Sequence, residues 1–339
     1  MYQPEKLVAN EFETGRSLTW QQLERQACAA SRWLTEELGL GSGDRLAVLA
    51  DFCLEYLVLL AVAQKTGITL VPLNYRLSGR ELDYLLSDAG PKAMMVSENY
   101  SQLVEDQPCF GEVPHRFGLQ SFQKLLQSAR LSGSRPFEAK ELPDSHPLFI
   151  LYTSGTTGFP KGAIYTHQMA FWNSVNTASR LDITSGDHTI ICMPPFHTGG
   201  WNVFITPFLH HGASVTLMKK FEPEKVLWLL EEQQATIFMA VPTMLKMMAD
   251  EPAFGQVHLE KMRYFIVGGE AMPIPLIERW HEKGVPIRQG FGMTEAGPNL
   301  FSLHQRDAIR KKGSIGTPNF YVETRLVNED GQEVPTGET

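Results

Sequence analysis

The chain has 339 residues, of which 43% are hydrophobic and 20% charged, and its formal net charge is −8. That length exceeds what one hydrophobic core usually serves, so more than one packed subdomain is expected in an otherwise ordinary globular composition. The acidic balance, with no Lys/Arg cluster, excludes a nonspecific nucleic-acid partner and electrostatic docking on anionic lipid. The four cysteines, Cys28, Cys53, Cys109 and Cys192, show no C-x-x-C spacing. They suit reduced thiols, and hence the cytoplasm, better than a disulfide framework or a zinc site. Met1-Tyr2-Gln3-Pro4-Glu5-Lys6 has no apolar core, so no signal peptide is expected. The longest apolar run, Leu57 to Ala63, is too short to span a bilayer. The sequence leaves a homodimer open.

The first half alternates helical and strand patterns. Leu23, Ala27, Ala30, Leu34 and Leu38 recur at helical spacing over Trp20 to Leu38, and Gly39 to Asp44 breaks the pattern. Arg45 to Ala50 reads as a buried strand. A helix follows over Leu54 to Lys65, ended by Gly67, and then a strand over Thr69 to Leu73. Ser78-Gly79-Arg80-Glu81 is a capping box that opens a third helix, and Lys92 to Val96 is a strand. Such alternation predicts βα units and a mostly parallel sheet. Residues 100–146 are polar and proline-containing, and are expected to be irregular surface structure joining two parts.

The alternation resumes with the apolar run Leu148 to Tyr152. Further strands are expected over Thr189 to Met193, Ser214 to Met218, Thr236 to Ala240 and Tyr264 to Val267. Helical patterns separate them, the clearest being Phe221 to Gln234 with Pro223 in its first turn. Glu323 to Val327 followed by Asn328-Glu329-Asp330-Gly331 predicts an antiparallel hairpin. There is no internal repeat and no low-complexity tract.

The most informative stretch is Thr153-Ser154-Gly155-Thr156-Thr157-Gly158-Phe159-Pro160-Lys161-Gly162, directly after the strand at 148–152. Hydroxyls and bare backbone N–H groups at a strand end hold polyanions, and a lysine adds a compact positive charge for phosphate oxygens. It is not a Walker A loop. Counted from Gly155, the second glycine is replaced by Pro160, and Lys161 is followed by Gly162 rather than by a hydroxyl. A flexible Ser/Thr/Gly linker is the bland alternative, but linkers rarely follow a buried strand.

This stretch resembles the signature of the AMP-forming adenylating enzymes, which comprise acyl-CoA synthetases, luciferases and peptide-synthetase adenylation domains. Three more stretches match that family in the same order: Gly268-Gly269-Glu270-Ala271-Met272-Pro273, Gln289-Gly290-Phe291-Gly292-Met293-Thr294-Glu295 and Gly313-Ser314-Ile315-Gly316-Thr317-Pro318. The resemblance implies two stacked, mostly parallel α/β subdomains. Residues 1–298 would form the large adenylate-forming domain, and residues 299–339 the start of a small β-barrel subdomain. Family members continue beyond a point equivalent to Thr339, adding a carboxylate for the ATP ribose and a C-terminal lid domain with a catalytic lysine. The chain is therefore expected to be the N-terminal part of a longer enzyme, with the lid domain absent and little turnover of its own.

The implied chemistry has two steps, in which a carboxylate attacks the α-phosphate of ATP and a thiol, usually coenzyme A, then displaces AMP. The expected ATP-binding residues are Thr153, Ser154, Gly155, Thr156, Thr157, Gly158, Lys161, Gly268, Gly269, Glu270, Gly290, Phe291, Gly292, Met293 and Thr294. Within that set Ser154, Thr156, Thr157 and Lys161 face the β- and γ-phosphates, Thr294 the α-phosphate and Phe291 the adenine ring. Glu295 is the expected Mg²⁺ ligand, since Mg²⁺ binds through one or two carboxylates plus phosphate oxygens. Thr294, Glu295 and Lys161 carry the catalytic expectation. Each feature also has a plainer structural account. Thr294-Glu295 could be a helix N-cap with a first-turn acid, Phe291 could be core, and Gly268-Gly269 a tight turn. Met193-Pro194-Pro195-Phe196-His197-Thr198-Gly199-Gly200-Trp201 resembles the family segment lining the acyl channel, which makes Phe196, His197, Gly199 and Trp201 pocket candidates. His197 could equally be structural, and His210, His211 and His304 have no matched role.

The expected partners are thus a small carboxylic acid, ATP and coenzyme A, with a medium- or long-chain fatty acid as the leading substrate class. The 13 methionines suit a flexible apolar tail. An aryl-acid ligase of o-succinylbenzoate or coumarate type, or a domain loading a carrier protein, stands as the alternative. An amino-acid substrate is disfavoured, because no acidic residue lies between Asp187 and Glu222. A nucleotide-binding module without catalysis is the remaining class.

Overall fold

The structure, a computed structural model, describes residues 3–132, 135–153, 158–335 and 337. Three sheets organise them. A six-stranded sheet runs in the spatial order His115–Gly118, Ala93–Val96, Arg45–Leu49, Thr69–Pro72, Pro147–Thr153 and Lys161–Thr166. All its pairings are parallel except the last. A four-stranded sheet has the order Ser17–Thr19, Leu7–Glu11, Ser214–Leu217 and His188–Ile191. A five-stranded sheet follows Ile237–Ala240, Tyr264–Val267, Ile287–Phe291, Phe301–Ser302 and Thr317–Pro318. The second and third sheets are joined where Thr236 N donates to His188 O at 2.9 Å.

The inner strands are short apolar runs buried on both faces, as parallel sheets covered by helices require. Helix Leu54–Thr66 is buried all round, because it lies between layers rather than on the surface. It ends at Gly67 in the left-handed conformation (φ 75°). The capping box at Ser78 is present, with Ser78 N donating to Glu81 Oε2 at 2.8 Å. One core cluster, including Val8, Leu57, Phe149, Trp201 and Phe204, packs around the buried helix. A second lies under the five-stranded sheet around Phe238, Phe265 and Trp280.

The structure departs from the sequence expectations in four places. Residues 100–146 are not merely a surface link, since strand His115–Gly118 adds an edge to the six-stranded sheet and helix Leu119–Ser132 follows it. An edge strand exposed on one side carries no apolar run, which hid it. The stretch after Thr153 returns as strand Lys161–Thr166, which pairs antiparallel from Thr153↔Lys161 to Pro147↔Thr166. Only Tyr165 is buried and the other residues are half-buried or exposed, so it too lacks a strand signature. Near the end, Val327↔Glu333 is an isolated antiparallel bridge closed by the turn Gly331 N to Asn328 O (3.0 Å), with no strand over 323–327. No closed barrel forms among the described residues; the two-residue strands at 301–302 and 317–318 extend the third sheet instead.

Candidate nucleotide and acyl site

Two cavities, of about 480 and 230 Å³, meet at three shared residues, His197, Thr198 and Thr294. The larger is bounded by Asn74, Glu81, Thr153, Gly158, Pro160 and Phe196. The smaller is bounded on one side by Gly268, Gly269, Gly290, Phe291, Gly292 and Met293. Its other side is formed by Thr177, Met193, Gly199, Met239, Ile266 and Asn299. Stretches separated by more than a hundred residues in sequence therefore converge on one place. A third cavity of about 970 Å³ opens beside helices Trp20–Arg32, Leu54–Thr66 and His167–Leu181, but none of the motif residues line it.

The segment that ends in Thr153 is held by the antiparallel ladder, which sets Lys161 opposite Thr153. Helix Gly79–Ala89 anchors the far side. Tyr84 OH donates to Pro160 O at 3.4 Å, the Tyr84 and Phe159 rings lie 5.3 Å apart, and Tyr152 OH donates to Asp88 Oδ2 at 2.6 Å. Lys161 is exposed, so its amine is free to reach outward from the ladder. Ser154, Gly155, Thr156 and Thr157 lie outside the described residues.

Gly268 and Gly269 follow strand Tyr264–Val267 directly, at the carboxyl end where open α/β sheets bind ligands. Gly269 has φ 89°, a conformation that side-chain-bearing residues rarely adopt. The turn is pinned to the next strand where Met272 N donates to the buried Gln289 Oε1 at 2.8 Å. Glu270 is exposed and lines neither cavity. Phe291 and Met293 are each 45% exposed, although their side chains are large and apolar. Phe291 is therefore not a core residue; it presents a ring to the smaller cavity. Thr294 opens a short 3₁₀ turn, Thr294–Ala296, for which Met293 rather than Thr294 is the N-cap. Glu295 is exposed in the same turn.

His197 presents surface to both cavities, yet enough protein surrounds its imidazole to hold the pKa below the usual histidine value. Burial is the main cause and the nearby Arg76 charge the second. A neutral imidazole thus stands at the junction at pH 7. Arg76 lies over the Phe196 ring at 5.7 Å, and Tyr75 meets Phe196 edge-on at 5.1 Å. Gly199 lines the smaller cavity between Met193 and Met239. Trp201 is placed apart from the other pocket candidates. It is fully buried, donates Nε1 to Pro195 O at 2.6 Å, and packs on Phe52 and Phe149 at 4.8 and 5.0 Å. Its position inside the core rather than on a cavity wall follows from the turn of helix Thr198–Trp201, which aims Gly199 outward and Trp201 inward.

Asn74, Thr177, Thr198 and Asn299 line the cavities without having been singled out from the sequence. Thr198 lies within the matched stretch 193–201 and Asn299 follows the one ending at Glu295, so both were within reach of the same logic. Asn74 and Thr177 lie in other elements, and only the tertiary structure brings them in. Among the described residues no group of three or more His, Cys, Asp or Glu could hold a metal ion. Glu295 is a single carboxylate beside Thr294. That donor set suits Mg²⁺ carried in by a polyphosphate rather than a resident metal. No helix among the described residues is long and apolar enough to cross a membrane.

Comparison with known proteins identifies the family. The model of the family described as AMP-binding enzyme matches residues 2–339. A feruloyl-CoA synthase of an Amycolatopsis species is 32% identical over 326 residues, covering 96% of this chain and 64% of that relative. A long-chain-fatty-acid–CoA ligase of Mycobacterium tuberculosis, FadD13, is 32% identical over 327 residues, covering 95% of this chain and 63% of that relative. The chain thus spans somewhat less than two thirds of the length of these curated relatives. Among solved structures, the inhibitor-bound N-terminal domain of FACL13 from M. tuberculosis superposes with a TM-score of 0.90 at 31% identity, over 98% of this chain and 83% of that one.

Proposed function

We propose, because this chain belongs to the AMP-binding enzyme family, that its paired cavities bind ATP and a carboxylic acid and join them, as the first half of an AMP-forming acid–CoA ligation. The observation that carries this is the meeting of the two cavities at His197, Thr198 and Thr294. It leaves the phosphate-loop flank on one side and the glycine turns with Phe291 on the other. In the reaction, an oxygen of the acid attacks the α-phosphorus of ATP; that O–P bond forms as the bond to the β-phosphate bridging oxygen breaks, and pyrophosphate leaves. The sulfur of coenzyme A then attacks the acyl carbon, a C–S bond replaces the C–O bond, and AMP departs.

The residues have separable parts in this scheme. Lys161 and the loop 153–162 meet the β- and γ-phosphates. Thr294 donates to the α-phosphate, whose charge builds in the transition state, as preorganised donors do. Phe291, at the exposed rim of the smaller cavity, lies on the adenine, with Gly268 and Gly269 letting the backbone approach it, while the acid takes the buried side of that cavity toward Thr177 and Asn299. Glu295 would hold Mg²⁺, which supplies charge neutralisation when bound. His197, neutral at the junction, orients the acid carboxylate. Residues 1–298 act as the large adenylate-forming unit and residues 299–339 as the beginning of the adjoining β subdomain. The cytoplasm, where ATP and coenzyme A are available to reduced thiols, is the fitting compartment. Relatives acting on feruloyl and on long-chain acyl groups are equally similar to the chain, so substrate class rests on the cavity itself.

The test is pyrophosphate release across a panel of aliphatic and aromatic acids, with and without coenzyme A, by the protein carrying this chain. Acid-dependent release, with acyl-CoA formed only when coenzyme A is present, is expected. ATP turnover indifferent to every acid would overturn the proposal.

A further inference from the structure

A group of buried amides backs one wall of the smaller cavity. Asn173, on helix His167–Leu181, donates Nδ2 to Asn202 O at 2.6 Å, and its Oδ1 accepts from Asn299 N at 3.3 Å. Asn299 directs Nδ2 to Thr177 Oγ1 at 2.6 Å and, more weakly, to Asn202 O at 3.4 Å. Asn202 donates Nδ2 to Thr198 Oγ1 at 3.1 Å and accepts at Oδ1 from Thr206 Oγ1 at 3.2 Å. Asn173 and Asn202 are 4% and 0% exposed, so these amides are deep in the protein.

The position of this network decides what it does. Thr177, Thr198 and Asn299 line the inner cavity of about 230 Å³, while Ser174 and Thr206 line the outer one of about 970 Å³. Asn173 and Asn202 line neither; Asn202 is hydrogen-bonded to Thr198 on the inner side and to Thr206 on the outer, and Asn173 joins Asn299 to Asn202. They form a wall. A long alkyl chain passing from the inner cavity into the outer one would have to break these bonds and strand buried amides, at a cost of about 1–3 kcal/mol for each group left unpaired. The inner cavity alone is small. A cavity of roughly 150 Å³ takes a benzene ring, so about 230 Å³ admits a ring with a short side chain, not an extended tail.

The wall is also polar on its inner face. Asn299 commits its amide nitrogen to Thr177 and Asn202, which leaves Oδ1 as its acceptor, and Thr177 accepts that bond and retains its own hydroxyl proton. We infer that Asn299 and Thr177, backed by Asn173 and Asn202, select a compact carboxylic acid bearing a hydroxyl group within their reach and exclude long-chain fatty acids. This rests on the acid-binding role proposed above and adds the class of acid. Sites built to bond a substrate hydroxyl discriminate strongly against the analogue lacking it, because the site's own groups are then left unpaired.

The experiment is calorimetric titration of the purified chain, with a non-hydrolysable ATP analogue present, using 4-hydroxycinnamic acid, cinnamic acid and hexadecanoic acid. The wild-type chain, Asn299→Leu and Thr177→Val are compared, the second variant being nearly isosteric in case the first disturbs folding. The hydroxylated acid should bind about tenfold or more tightly than its parent, and hexadecanoic acid should not bind. Each substitution should reduce the hydroxyl preference to less than about threefold, with the nucleotide isotherm unchanged. Wild-type affinity for hexadecanoic acid equal to that for the aryl acids would overturn the inference. So would a hydroxyl preference that is absent from the wild type or survives both substitutions. An intact nucleotide isotherm with no binding of any acid sinks the inference and leaves the nucleotide site standing. Loss of the nucleotide isotherm, with the acids still ranked by their hydroxyl, supports the inference and sinks the adenylation proposal.

Discussion

Gly292 and Pro298 pass so closely that a Cβ on the first would lie 1.3 Å from the carbonyl oxygen of the second. The contact is backbone to backbone, so no rotamer relieves it. It folds the turn carrying Thr294 back against the strand that precedes it, where Leu300 N donates to Phe291 O at 3.1 Å. Gly292→Ala should destabilise the protein by about 1–3 kcal/mol or more and weaken nucleotide binding at least tenfold. Thermal denaturation and ATP titration check both. Gly255→Ala is the control, since a Cβ there meets nothing within 4 Å.

Lys161→Ala and Thr294→Val probe opposite ends of the triphosphate. Removing a charged phosphate contact should cost about 1.5–3 kcal/mol of nucleotide affinity, or roughly tenfold or more, and removing a hydroxyl donor about 0.5–1.5 kcal/mol. Lys161 is exposed on an edge strand, so its variant should melt like the wild type. Unchanged ATP affinity in both variants would refute the phosphate assignment.

Asp187 sits at the seam between the four- and five-stranded sheets. Its side chain is 4% exposed and lies 2.8 Å from Arg263 Nη1. It also accepts from Thr236 Oγ1 at 2.6 Å and Thr184 N at 2.7 Å. Arg263→Ala would leave this carboxylate buried without its countercharge, at a cost of about 1–3 kcal/mol, less than for a fully buried pair because Arg263 is a third exposed and Asp187 keeps its bonds from Thr184 and Thr236. Combining it with Asp187→Asn should recover part of the loss. Urea denaturation of the single and double variants measures the coupling, and strict additivity would show that the pair does not act as a unit.

Beside Asp187, His188 is half-buried with Nδ1 2.8 Å from Ser214 Oγ and Nε2 2.9 Å from Thr216 Oγ1, and desolvation of the ring lowers its pKa to about 4. The folded state thus favours neutral imidazole more than the unfolded chain, whose histidines titrate near 6.5. The unfolded chain therefore takes up the proton first as pH falls. Stability is full above about 6.5, declines between about 6.5 and 4, and does not decline further from this group below that. The contribution is on the order of 3 kcal/mol. His188→Gln should flatten the pH dependence of unfolding across that window, as measured by denaturant midpoints from pH 7 to 4.

The parts of the molecule most legible in the sequence were those under a local rule. The capping box at Ser78, the stop at Gly67 and the apolar runs at Arg45, Thr69, Ala93 and Tyr264 carry their cause within a few residues. Strands His115–Gly118 and Lys161–Thr166 were illegible because each lies at an edge, half exposed, and takes its identity from a neighbour rather than from its own pattern. The same division holds in the site. Thr294, Phe291, Gly268 and His197 come together as their motifs suggest. Trp201, adjacent to that set in sequence, points into the core because a single helical turn reverses its direction. Asn173, Thr177 and Asn299 look like ordinary polar residues until helix His167–Leu181 is laid beside the segment after Gly297.

The pairing of Thr153 with Lys161 has a consequence for how this chain can change. The two strands on either side of the phosphate stretch are already zipped together, so the connection between them closes a gap that the sheet itself fixes. Doubling such a connection costs only about 0.6 kcal/mol of chain entropy. The architecture therefore exerts little pressure on the letters spelled there. On the phosphate role proposed for this stretch, substitutions of its hydroxyls, glycines and lysine should therefore lower nucleotide affinity before they lower the stability of the fold.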